Sequence, residues 1–148
     1  MFSKILVLCI GNICRSPLAE IALRQKAVAA GLQLDIDSAG ISAMTGYPAD
    51  EKSIIIGNAN NLDLSNHEAK QLSDELIRWA DIILVMTQNQ KQAVHKEFAI
   101  SRGKVFLLCE STGDDIPDPY QQEKTAFDHA WTLIEKGCDE WIGKLKNF

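Results

Sequence analysis

Between Asp81 and Thr87 stand five consecutive apolar residues, Ile82-Ile83-Leu84-Val85-Met86. The run is too short for a buried helix and rich in β-branched side chains, so it reads as a strand covered on both faces. A strand of that kind belongs in the middle of a parallel sheet with helices above and below. The remaining elements fit this requirement. Lys4 to Leu8 and Val105 to Leu108 are short apolar strands, and Leu34 to Ser38 alternates as a strand should. Helical patterns run from Pro17 to Ala30, where Gly31 stops the helix, from Glu51 to Asn61, from Ser73 to Trp79, from an N-cap at Thr87 to Ala99, and from Thr125 to Lys146. Ala39 to Asp50, with two glycines, Tyr47 and Pro48, reads as a loop. The expected fold is α/β, one domain over residues 1–148, with a four-stranded parallel sheet and helices on both faces. In such a sheet the ligand lies beyond the carboxyl ends of the strands.

At that edge, directly after the first strand, stands Cys9-Ile10-Gly11-Asn12-Ile13-Cys14-Arg15-Ser16. The first N–H groups of a helix lack intrahelical partners and, with the helix dipole, attract an anion. A thiol at that point beside a guanidinium is in the setting that favours a thiolate, which makes Cys9 the candidate nucleophile. The planar fork of Arg15 can hold two oxygens of a phosphoryl group at once. Gly11 is expected to take the backbone conformation that turns successive N–H groups inward. The Ser16 hydroxyl can donate to the sulfur, and Pro17 costs nothing because its missing N–H would have been unpartnered. The phosphate-binding stretch is therefore Ile10, Gly11, Asn12, Ile13, Cys14, Arg15 and Ser16.

A second constellation follows the last strand: Asp114-Asp115-Ile116-Pro117-Asp118-Pro119-Tyr120. Prolines on both sides stiffen the backbone at Asp118 and fix where its carboxylate points. An aryl phosphate needs a proton on its departing oxygen, since an aryl oxide has a pKa of about 10. Asp118 can supply it, with Asp114, Asp115 and the incoming dianion expected to keep part of it protonated.

Net charge is −5, which argues against a nucleic-acid partner. Residues 1–30 carry +3 and the remainder −8, so the anion loop falls in the positive part of the chain. No apolar run approaches membrane-spanning length, and Met-Phe-Ser-Lys leads straight into a strand, unlike a signal peptide. The expectation is a cytoplasmic protein with no membrane insertion. No metal or other cofactor is implied, because His67, His95 and His129 show no ligand spacing with the cysteines. Cys109 and Cys138 read as core residues, and Trp79, Trp131 and Trp141 as core or interface residues.

Together, Cys9 to Ser16 with Pro17-Leu18-Ala19-Glu20, the strand end Asp37-Ser38-Ala39-Gly40, and Asp118-Pro119-Tyr120 resemble the low-molecular-weight protein-tyrosine phosphatases over essentially the whole chain. The run from Ile116 to Tyr120 followed by Gln121 is most similar to the bacterial branch. The resemblance implies a flavodoxin-like phosphotyrosine phosphatase I fold, with Cys9 forming a phosphocysteine, Arg15 clamping phosphate, and Asp118 acting as acid and then base. It implies that Asn12, Ser16, Ser38 and His67 hold the loop open, and that Cys14 can trap an oxidised Cys9 as a disulfide. For Cys14 a plain buried residue is an equal alternative. The substrate ring would rest against Met44, Tyr47 and Tyr120. The implied partner is a phosphotyrosine protein, such as a bacterial tyrosine autokinase controlling exopolysaccharide or capsule export, and the implied state is a monomer or weak dimer. A thioredoxin-coupled arsenate reductase would need further cysteines close together, yet none lies between Cys14 and Cys109. A non-catalytic phosphate binder would need neither thiolate nor acid.

Overall fold

In the computed structural model, which describes residues 2–148, the strands are β1 (Lys4–Cys9), β2 (Asp35–Gly40), β3 (Ile82–Val85) and β4 (Val105–Leu107). All pair in parallel in the order β2-β1-β3-β4. The chain leaves β1 towards one edge for β2 and then crosses to the other side for β3, so β1 sits at the switch in strand order where ligands bind in such sheets. The helices are α1 (Arg15–Ala29), α2 (Glu51–Ala59), α3 (Asp74–Trp79), α4 (Gln88–Glu97) and α5 (Lys124–Leu145).

Alternation along the strands divides the core in two. Ile5, Val7 and Cys9 of β1, with Ile82 and Leu84 of β3, face a cluster built with Leu18, Ala22 and Leu23 of α1 and Phe127, Ile134 and Trp141 of α5. Leu6, Leu8, Ile83 and Val85 face the other way, against Ile77 of α3 and Val94 of α4. The continuous apolar run of β3 is thus buried on both faces as expected, each such side chain contributing about 1.5–3 kcal/mol on removal from water. Cys109 and Cys138 are buried, and Trp141 donates from Nε1 to the Leu107 carbonyl at 3.1 Å. Burial pushes both thiols up from their ordinary pKa. Trp79 and Trp131 are half-buried against the two clusters.

Most element ends shift by one or two residues from expectation, and two of these shifts, both at the carboxyl edge, shape the site. β2 runs on through Ala39 and Gly40 because they pair with Leu8 and Cys9, so this stretch is strand and not loop. α1 starts at Arg15, two residues before Pro17, which lies in the first turn where its lack of an N–H still costs nothing. Thr87 caps α4 as read from the sequence, accepting from the Gln90 N–H at 3.1 Å. Asp50 and Ser73 cap α2 and α3 in the same way. The first turn of α1 has neither a capping side chain nor an acidic residue.

Candidate active site

The loop between β1 and α1 is defined by where its carbonyls go. Those of Cys9, Ile10 and Gly11 accept from the backbone N–H groups of Ile41, Ser42 and Met44 at 3.0, 2.9 and 3.0 Å. The Asn12 carbonyl accepts from His67 Nε2 at 2.6 Å, which assigns the proton to Nε2 because a carbonyl can only accept. The Ile13 carbonyl accepts from the Asp50 N–H at 2.8 Å and that of Cys14 from the Ser53 hydroxyl at 3.1 Å. Six consecutive carbonyls are therefore bonded to surrounding segments. In a trans peptide the N–H points opposite to the C=O, so pinning the carbonyls outward leaves the amide groups for the inner side of the loop.

Beneath the loop lies a buried polar chain. Asn12 Oδ1 accepts from the Lys70 N–H at 3.0 Å, which leaves Asn12 Nδ2 to donate to Ser16 Oγ at 2.7 Å and Ser38 Oγ at 3.0 Å. Ser38 then donates to Glu20 Oε1. Ser16, already accepting from Asn12, is free to donate to Cys9 Sγ at 3.0 Å. The other Glu20 oxygen pairs with Arg24 at 2.7 Å. Asn12, Ser16, Ser38 and His67 all hydrogen-bond at or beneath the loop, and Glu20 and Arg24 extend this chain of contacts. Asn12 and Ser16 are wholly buried, behind the loop rather than in the cavity wall.

Two expectations about this loop are corrected. The residue with positive φ is Asn12, at 60°, and not Gly11. Asparagine tolerates this region better than most residues, and its side chain is held there by three hydrogen bonds. The glycine that packing demands is Gly40, where a Cβ would come within 2.6 Å of the Ile10 carbonyl and 2.9 Å of Ala43. The charge asymmetry also loses its meaning: Arg24 pairs with Glu20 and Lys26 with Asp139, so Arg15 alone of the N-terminal cations lines the cavity.

The cavity over the loop has a volume of about 210 Å³ and is walled by Cys9, Ile10, Gly11, Ile13, Cys14 and Arg15 on one side and by Ser42, Met44, Asp118 and Tyr120 on the other. Arg15 is buried, donates from one terminal nitrogen to the Ile116 carbonyl at 2.7 Å and reaches Asp118 Oδ2 at 3.6 Å with the other. Its Nε, also buried, has no hydrogen-bond partner within the protein. A buried guanidinium N–H in the wall of an amide-lined cavity fits an anionic oxygen. The charged group in contact with Asp118 is thus Arg15, while Asp115 accepts from the Gln88 N–H at 2.9 Å. Asp118 Oδ1 accepts from the Tyr120 N–H at 3.1 Å. Cys14 shares the wall with Cys9, and burial, reinforced by Asp50, pushes its thiol pKa well up. Met44 and Tyr120 stand at the cavity, but Tyr47 is exposed and outside its wall. Ser42, not foreseen from the sequence, completes the wall because the extended β2 carries it to the Ile10 carbonyl.

A family described as low molecular weight phosphotyrosine protein phosphatase matches residues 4–147. The chain is 46% identical over 140 residues to the low molecular weight protein-tyrosine-phosphatase Ptp of Acinetobacter johnsonii, covering 95% of this chain and 96% of the relative. It is 42% identical over 146 residues to the probable low molecular weight protein-tyrosine-phosphatase EpsP of Ralstonia nicotianae, covering 99% and 98%. Among solved structures, Vibrio vulnificus Wzb in complex with benzylphosphonate superposes with a TM-score of 0.91 at 39% identity, covering 97% of this chain and 99% of that one. Matched at these identities over nearly its full length, the chain belongs to the low molecular weight protein-tyrosine phosphatases.

Proposed function

We propose that this enzyme cleaves phosphotyrosine in proteins through a phosphocysteine at Cys9. The Cys9 thiolate attacks phosphorus while the inward amides of the loop and Arg15 hold the equatorial oxygens. The bond from phosphorus to the aryl oxygen breaks, and the protonated Asp118 delivers its proton to that oxygen, releasing tyrosine. Asp118, now a carboxylate, takes a proton from water as the water attacks phosphorus. The sulfur–phosphorus bond breaks, inorganic phosphate leaves, and the returning thiolate is stabilised by the Ser16 hydroxyl.

The observation that carries this reading is the set of six outward-bonded carbonyls from Cys9 to Cys14, which leaves the loop amides free to receive an anion in the cavity that Cys9 also lines. The unpartnered Arg15 Nε in the same wall supports it. So does the complex of the Vibrio vulnificus neighbour with benzylphosphonate, since a benzyl group on a phosphonate imitates an aryl phosphate. The proposed physiological substrate is a bacterial tyrosine autokinase of exopolysaccharide or capsule export, met in the cytoplasm by an enzyme that is a monomer or weak dimer. No helix among the described residues is long and apolar enough to cross a membrane.

Hydrolysis of p-nitrophenyl phosphate and of a phosphotyrosine peptide with chelator present, by wild type and Cys9→Ser, tests the reading. Wild type turns both over and Cys9→Ser turns over neither; near-wild-type turnover by Cys9→Ser rules it out.

A further inference from the structure

Lys52 stands in the first turn of α2 and takes no part in the chemistry above. Its Nζ donates to the Gln122 carbonyl at 2.5 Å and lies 5.6 Å from the centre of the Phe127 ring at the start of α5. Gln122 in turn donates from Nε2 to the Asp118 carbonyl at 2.9 Å and from its backbone N–H to the Pro119 carbonyl at 2.9 Å. Gln121 has φ of 63°, so the chain doubles back at that point. Asp118 to Gln122 is thus a closed turn. Apart from the Arg15 to Asp118 ion pair, the Lys52 bond is the one hydrogen bond that reaches residues 117–122 from elsewhere in the chain, among the described residues.

The same helix start also holds the nucleophile loop. Asp50, the N-cap, donates its N–H to the Ile13 carbonyl and accepts the Lys52 N–H on Oδ1 at 2.9 Å. Two residues apart, the beginning of α2 grips the loop that carries Cys9 and the turn that carries Asp118. We propose that Lys52 is a positioning residue for general acid catalysis, setting where Asp118 stands relative to Cys9. This rests on the assignment of Asp118 as the acid. The physical reason is leverage: an acid must lie within hydrogen-bond reach of the departing oxygen, and a misplacement of about 1 Å can cost about 10²-fold.

The readout that separates positioning from mere support is dependence on the leaving group. Phenol is a poorer leaving group than p-nitrophenol and needs the acid more. We would measure kcat/KM for phenyl phosphate and p-nitrophenyl phosphate with wild type, Lys52→Met, Lys52→Arg, Gln122→Ala and Asp118→Asn. Lys52→Met is expected to lose about 5- to 20-fold on phenyl phosphate and less than about twofold on p-nitrophenyl phosphate. Lys52→Arg, which keeps a cationic donor for the carbonyl and a cation over the ring, is expected to return to within about twofold of wild type. Gln122→Ala, which removes the bond to the Asp118 carbonyl, is expected to show the same split and decides the matter if Lys52→Met does not fold. Equal losses on both substrates, or none, in Lys52→Met while Asp118→Asn shows the split would overturn the role of Lys52 alone. Absence of a split in Asp118→Asn would overturn the assignment of the acid, and the role of Lys52 with it.

Discussion

From Cys9 to Cys14 every carbonyl accepts a hydrogen bond from outside the loop, and only Ile10 and Gly11 are not buried. Among the described residues, a single hydrogen bond, besides the Arg15 ion pair, reaches Pro117 to Gln122 from outside, and the Asp118 side chain is 47% exposed. The two segments face one cavity, and their different construction suits the role proposed for each. A cradle for a dianion has to exist before the anion enters, because orienting a ring of amides at the moment of binding would cost the affinity it provides. In the proposed mechanism Asp118 must exchange protons with solvent and meet leaving groups of different shape, which suits a residue held by its backbone and left open at its tip. Pro119 is buried and Arg15 fixes the Ile116 carbonyl, which anchors the turn at two points while leaving the carboxylate accessible.

This contrast breaks if the two loops respond alike to mutation. The largest effect is expected at the acid: Asp118→Asn should lower kcat for phenyl phosphate by about 10²- to 10⁴-fold. Its stability to urea should stay within about 0.5 kcal/mol of wild type, because the side chain is exposed and makes few contacts. A comparable loss of stability would mean that the acid loop is as integral to the fold as the cradle. At the cradle the expectation reverses. Asn12→Ala should destabilise the protein by about 1–3 kcal/mol, since it removes three hydrogen bonds, two of them buried, and puts alanine at positive φ. Asn12→Gly gives a finer comparison. It relieves the backbone but not the network, so it should recover a part of the stability and little of the activity, and full recovery of both would show that the Asn12 side chain is dispensable.

Much of this was legible in the chain. The apolar run at Ile82 to Met86 identified the buried central strand because a strand covered on both faces has no polar alternation to hide it. The cavity-facing trio of Cys9, Arg15 and Asp118 followed from side-chain chemistry and from the rule that loops at the carboxyl edge meet. What escaped was tertiary. The backbone demand fell on Asn12 and Gly40 rather than Gly11 because it arises from packing of β2 against the loop, which local sequence does not record. Glu20 and Arg24 look like any i,i+4 pair on a solvated helix until Ser38 is brought beneath them. Tyr47 sits three residues from Met44, yet only Met44 reaches the cavity: its N–H is held by the Gly11 carbonyl, while the Tyr47 carbonyl is held by the Ala69 N–H. Lys52 is separated by 70 residues from the carbonyl it holds, and nothing in its neighbours announces the contact.

Everything proposed for the chemistry turns on the phosphoryl group passing through the Cys9 sulfur. Rapid acid quenching of the enzyme during turnover of p-nitrophenyl phosphate, followed by peptide mass spectrometry, reads it directly. The expected result is a phosphoryl group on the peptide containing Cys9, on that sulfur, and none on Cys14. Active enzyme that never carries phosphate on Cys9, or carries it elsewhere, would contradict the mechanism.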